Sequence, residues 1–147
     1  MTEMITRDDG RPPVLSNGRL LQTLPPALSD TDRFGLPVDA LDAQWVAHVV
    51  QIGTCQNKLS EARHINLSLE QSQCGAVWMP VSVSVGPTIT SNHFACIDDQ
   101  SLDGHAYGKV YVPGTRFSRV RIDFVGVCEE PVPMSALALV GPLKVTS

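Results

Sequence analysis

Apolar and polar positions alternate with a period of two along most of this chain from residue 44 onward, the pattern of strands with one dry and one wet face. Ile65, Leu67 and Leu69 alternate with His64, Asn66 and Ser68. Val77, Met79, Val81, Val83 and Val85 alternate with Trp78, Pro80, Ser82 and Ser84 in the clearest such run, and Pro80, which has no amide proton to give, places that strand at an edge or at a bulge. Further strands are predicted at residues 92–97, 106–112, 116–128 and 134–140. Within 116–128, Val120, Ile122 and Phe124 share one face while Val125 and Val127 share the other, so the phase slips near Gly126, as at a bulge or a bend between sheets. Asp39 could cap a helix in which Leu41, Trp45 and Val49 recur at every fourth position, a reading that competes with a strand over residues 39–52; the favoured reading is a single helical turn from Asp39 to Ala43. The β-branched and aromatic run from Gln44 to Ile52 then reads as a strand.

Turn formers at Gly86-Pro87, Asp103-Gly104, Pro113-Gly114 and Pro131 divide the runs. The expected fold is all-β, a β-sandwich or jelly-roll-like domain of about seven to eight short strands, with a partly closed barrel as the related possibility. No βαβ alternation and no internal repeat is present.

Residues 1–37 differ. Pro12-Pro13, Asn17-Gly18, Pro25-Pro26, Gly35 and Pro37 leave room only for brief extended pieces. The expected organisation is therefore an extended, Pro-rich N-terminal arm over 1–37 and an all-β domain over 38–147. The arm carries Val14, Leu15, Leu20, Leu21, Leu24 and Phe34, which are the expected interface anchors, because an extended apolar segment without its own core is stabilised on another surface, its own domain or a neighbour.

Composition narrows the partners. With 147 residues and a net charge of −4, the chain is long enough for one cored domain and lacks the surplus of Lys and Arg that displaces counterions from nucleic acid. Arg116, Arg119 and Arg121 are the one basic cluster; beside Asp123 they read either as a local anion site or, more commonly, as a solvated face. No apolar run approaches the ~20 residues of a membrane helix, and no opening segment combines a basic start, an apolar stretch and a cleavage site, so direct nucleic-acid binding, membrane insertion and export by the usual route are not expected. Cys55, Cys74, Cys96 and Cys128 form no Cys-x-x-Cys pair and are expected as free, mostly buried thiols.

Candidate chemistry is sparse. His93 and Cys96, with Cys74, His64 or His105, invite a zinc site, but on a regular strand positions 93 and 96 point to opposite faces. Asp98, Asp99 and Asp103 form an acidic loop that lacks the ordered ligand spacing of a calcium loop. Cys96, His105 and Asp103 are nucleophile, base and orienter by type alone. Trp45, Trp78, Tyr107 and Tyr111 are the residues that would line a small-molecule or carbohydrate-binding face, the alternative function. No nucleophile elbow, phosphate loop, dinucleotide fingerprint or His-Glu-x-x-His helix occurs. No catalytic residue, cofactor or metal ligand is assigned.

The arm, joined through Leu36-Pro37-Val38-Asp39-Ala40-Leu41 to a short-stranded domain, resembles in its layout the virion structural proteins of tailed bacteriophages, and most of all their small capsid decoration or cement proteins. The resemblance implies a non-enzymatic structural protein without cofactor. It implies trimers or other oligomers on the outside of a capsid lattice, bound to copies of itself or to a major capsid or scaffold protein. It implies a location in the virion, after assembly in the host cytoplasm. Minor coat and tail components share that layout.

Overall fold

The computed structural model describes residues 19–84, 87 and 90–142. Two antiparallel sheets pack face to face in an all-β, sandwich-like domain. The first sheet, A, has four strands in the order β1 (Arg19–Ser29), β12 (Val132–Val140), β4 (Val46–Ile52), β10 (Ala106–Tyr111). Sheet B has six: β2 (Arg33–Phe34), β11 (Phe117–Val125), β5 (His64–Ser72) and β6 (Met79–Pro80) in order, with β3 (Val38–Asp39) also on β11 and β9 (His93–Ile97) also on β5. Two short strands, β7 (Val83–Ser84) and β8 (Thr90–Ser91), pair with each other.

The alternation read from sequence sets the layers. Val46, His48, Val50 and Ile52 of β4, with Val132, Met134, Ala136, Ala138 and Val140 of β12, are buried and face sheet B. Ile65, Leu67 and Leu69 of β5 and Val120 and Ile122 of β11 meet them. A second cluster of Val38, Ala40, Ala43, Val46, Ala138 and Val140 closes one end. One polar tie crosses the interior: His48 Nε2 lies 2.8 Å from Ser118 Oγ, both fully buried.

The structure revises several expectations. Residues 19–37 are not an arm apart from the domain. β1 pairs along β12 from Arg19↔Val140 to Ser29↔Val132, and Leu24 is 3% exposed in the main core. Pro25 and Pro26 are accommodated because β1 is an edge strand that slips register twice, between Gln22 and Leu24 and between Leu24 and Ala27. Arg33–Phe34 has by then joined sheet B as β2, and Gly35, directly after it, donates its N–H to Val120 O at a point where a side chain would strike Val120 Cγ2 at 2.7 Å. The helical turn expected at Asp39 to Ala43 is a β-turn. Ala43 N–H donates to Ala40 O, Asp39 Oδ1 accepts from Leu41 N–H, and Asp42 takes a left-handed φ of 61°.

The clearest alternating run is not one strand over residues 77–84, Val85 lying outside the described residues: Met79-Pro80 forms the edge of sheet B, as Pro80 requires, while Val77 and Met79 are exposed and Val83 is buried. The slip at Gly126 is the end of β11, where φ of +83° turns the chain and a side chain would meet Ala62 O at 2.4 Å.

Candidate interaction surface

The two sheets present unlike outer faces. On sheet A, the outward positions of β4 are Ala47, Val49 and Gln51, and those of β12 are Pro133, Ser135, Leu137 and Leu139. Leu20 of β1 lies opposite Leu139, and Ala106, Gly108 and Val110 of β10 lie opposite Gln51, Val49 and Ala47. None of these side chains is charged. Leu28 is 66% exposed and Val110 60%, and Leu20 and Leu137 are also exposed. Two open depressions of about 370 and 450 Å³ run along this face, the first beside Leu28 and Pro133, the second between Leu20, Val49 and Leu137.

Sheet B is polar and internally paired. Arg119 and Glu70 are cross-strand partners, and Arg119 donates through Nε and Nη2 to Glu70 Oε1 at 2.9 and 2.8 Å. Arg121 donates to Glu70 Oε2 at 3.2 Å and to Asp123 Oδ1 at 2.9 Å, contacts that raise its pKa. The Arg119 guanidinium is held between two rings, 4.1 Å from Trp78 and 4.3 Å from Phe34. Nearby, Arg116 makes a two-pronged bond to Asp39 at 3.1 and 2.9 Å, which holds the Asp39 carboxyl below its ordinary value. The basic cluster is therefore no anion site: each guanidinium has a carboxylate within the chain.

The four expected anchors among the described residues are dispersed. Val14 and Leu15 lie outside the described residues. Leu24 is core, and Leu21 is half-buried against the second core cluster. Leu20 is on the outer face of sheet A and Phe34, 43% exposed, on that of sheet B. Of the four described anchors, Leu20 and Phe34 are exposed, on the outer faces of opposite sheets.

The chemistry-bearing residues do not converge. A bulge in β9 pairs His93 with Ser68 and Cys96 with Asn66, so the two share the outer face of sheet B, contrary to the reading from a regular strand. His105 lies at the start of β10 in the other sheet, where its carbonyl accepts from Ile52 N–H. Asp103 Oδ2 accepts from Cys55 N–H at 2.8 Å and Asp99 Oδ1 from Ser101 N–H at 2.9 Å, so the acidic loop clips backbone together. Gln100 and Asn57, which sequence reading passed over, do the same work. Gln100 binds Cys55 O, Asn57 O and Leu59 N–H, and Asn57 binds the backbone of Glu129 and Glu130.

Among the described residues, no group of three or more His, Cys, Asp or Glu is placed to hold a metal ion. All four cysteines are free; Cys55 is buried and burial pushes its thiol up to about 11, whereas Cys74 and Cys96 are exposed, against expectation. The three aromatic side chains that are described do not line one face: Trp45 lies against Gly141, Tyr107 packs on the core with its hydroxyl donating to Leu102 O, and Trp78 covers Arg119, while the side chain of Tyr111 lies outside the described residues. Among the described residues no helix is long and apolar enough to cross a membrane.

In comparison with known proteins, no family model and no curated protein matches the chain. Among solved structures, the fold is similar to that of the PBSX exported protein XepA, a phage-derived protein, with a TM-score of 0.53 and 14% sequence identity. The match covers 99% of this chain and 50% of that one, so this chain spans about half the length of XepA, and at that identity the likeness is one of fold.

Proposed function

We propose that this chain is a non-enzymatic structural protein of phage type, which takes its place in a virion or a related assembly by docking the outer face of sheet A on a neighbouring subunit. The observation that carries this reading is the face itself: four strands wide, without a charge at its outward positions, and left uncovered by the described residues. A protein that meets only water gains nothing from such a surface, whereas burying it against a partner contributes roughly 25 cal/mol per Å² of apolar area. The fold it shares with a phage-derived exported protein supports a phage-related role. Decoration, cement or minor coat protein is the finer assignment, with the major capsid or scaffold protein as partner.

The test is co-sedimentation. Particles of the phage or prophage that encodes the chain are banded on a density gradient, with the wild-type chain or with the double variant Val49→Lys, Leu137→Lys. The wild type is expected in the particle band, and the variant, folded by circular dichroism, at the top of the gradient. Absence of the wild type from the band, or equal incorporation of both, would defeat the proposal.

A further inference from the structure

The two edges of sheet A are built differently, and the backbone hydrogen-bond phase shows what the second edge offers. Gly53 N–H donates to Pro133 O at 2.7 Å and Gly141 N–H to Trp45 O at 2.8 Å, so the odd-numbered residues of β4 exchange bonds with β12. Ile52 N–H donates to His105 O at 3.0 Å, so the even-numbered residues of β4 bond β10, through His105, Tyr107, Lys109 and Tyr111. The N–H and C=O groups of Ala106, Gly108 and Val110 therefore point away from the sheet. β10 ends the order of sheet A, and all three residues are exposed.

β1, at the other edge, is blunted by Pro25, Pro26 and two register shifts. β10 has no proline, its register with β4 is unbroken from Ala106 to Tyr111, and its one charge is Lys109. Among the described residues no strand pairs with this edge, and a regular, nearly uncharged edge of that kind is a template for strand addition.

We infer that β10 pairs antiparallel with β10 of a second copy of this chain, about a two-fold axis through Gly108. This deepens the assembly reading by naming one of its partners. The register follows from bonding phase and charge. Centred on Gly108, all three free residues meet one another: Gly108 faces its own copy, and Ala106 faces Val110 of the second copy, each such pair exchanging two hydrogen bonds. Centring on Tyr107 leaves Val110 without a mate within the strand. Centring on Lys109 leaves out Ala106 and sets two ammonium groups face to face. In the Gly108 register, Lys109 instead lies opposite Tyr107 of the second copy, a cation beside a ring. The product is one continuous sheet of twice four strands, whose uncharged outer faces join into a single platform.

The test uses cysteine cross-linking in the full chain with the exposed thiols removed by Cys74→Ser and Cys96→Ser. A hydrogen-bonded antiparallel pair has its Cα atoms ~5.5 Å apart, within the span of a disulfide. Gly108→Cys is expected to oxidise mostly to a dimer on a non-reducing gel. Ala106→Cys alone is expected to stay monomeric, and Ala106→Cys with Val110→Cys to cross-link again. Equal cross-linking of Gly108→Cys and Ala106→Cys, or none above the parent, would overturn the register and the pairing.

Light scattering across a concentration series gives a second readout. Gly108→Pro removes an N–H that points to the free edge, so the ladder to β4 is kept, and the dimer dissociation constant is expected to weaken at least ~10-fold. An unchanged mass curve would overturn the inference, as would a wild type that stays monomeric throughout. The particle assay stands apart: incorporation of a chain that is monomeric alone would sink the β10 pairing and leave the outer-face reading standing.

Discussion

The outer faces of sheets A and B are made by the same device, alternation along antiparallel strands, and end in opposite states. On sheet B every cation has an acceptor and the key guanidinium has a ring on either side. Glu70, 7% exposed, takes both Arg119 and Arg121, and Trp78 and Phe34 roof the first of them. On sheet A the outward side chains carry no charge, and none of them has a hydrogen-bond or ion-pair partner among the described residues. A face that satisfies its own groups stabilises the chain that carries it. A face with apolar groups left in water stabilises only what is built upon it. On the proposed function, the comparison separates residues that hold the fold from residues assigned to association, and substitutions on the two faces are expected to read out differently.

The largest effect is expected from removing the segment that supplies an edge strand to each sheet. A chain lacking residues 1–37 loses β1, β2 and Leu24, exposing the far side of β12 and the core beneath it. It is expected to show no cooperative thermal transition by circular dichroism. A truncated chain that melts cooperatively would return β1 to the role of a separable arm.

Next comes the tie between the sheets. Burial lowers the His48 pKa from 6.5 to about 4, so the folded state holds the ring neutral. Below pH 6.5 the unfolded chain takes up a proton that the fold refuses. The stability this group contributes is therefore complete above pH 6.5 and falls by about 3 kcal/mol as the pH drops to about 4. Urea denaturation across that window is expected to show the loss, and His48→Gln to flatten it. An equal slope in both proteins would assign the pH dependence to other groups.

How far these elements were legible in the sequence follows from the same physics. β4, β5, β10, β11 and β12 are half-buried strands of ordinary length, and period-two alternation finds them. β1 was hidden because Pro25-Pro26 reads as a break, and only the pairing shows that an edge strand with two register shifts tolerates it. The bulge that brings His93 and Cys96 to one face leaves no mark on the hydrophobic period. Asn57 and Gln100 carry no charge and belong to no motif, so their loop-clipping bonds are visible only in three dimensions. The candidate surface did leave a signal: residues 45–52 and 132–140 hold no Asp, Glu, Lys or Arg, the sequence of strands covered on both sides. One side is covered by sheet B, and the other is the face proposed to dock on a neighbouring subunit.

On sheet B, Glu70→Gln is expected to cost about 1–2 kcal/mol, since it weakens two guanidinium contacts at a largely buried acceptor. Arg119→Lys, which keeps the charge and gives up the planar fork between Trp78 and Phe34, is expected to cost about 1 kcal/mol. Chemical denaturation of both variants measures the difference, and a loss below 0.3 kcal/mol in each, well under these ~1 kcal/mol expectations, would mean that sheet B's network is ornament to the fold.

The smallest expected effect on stability is the most informative about function. Leu137→Lys places an ammonium group in the middle of sheet A's outer face, where the lysine stem can lie along Val49 and Leu20 with its head in water. The unfolding free energy is expected to stay within about 0.5 kcal/mol of the wild type, because no described contact of the chain requires an uncharged group there. A partner docked on that face would have to bury the charge without a counter-ion, at a cost of several kcal/mol, so association should be lost while the fold is kept. Loss of both together would mean that Leu137 belongs to the fold's own packing, and the contrast between the two faces would fail at its centre.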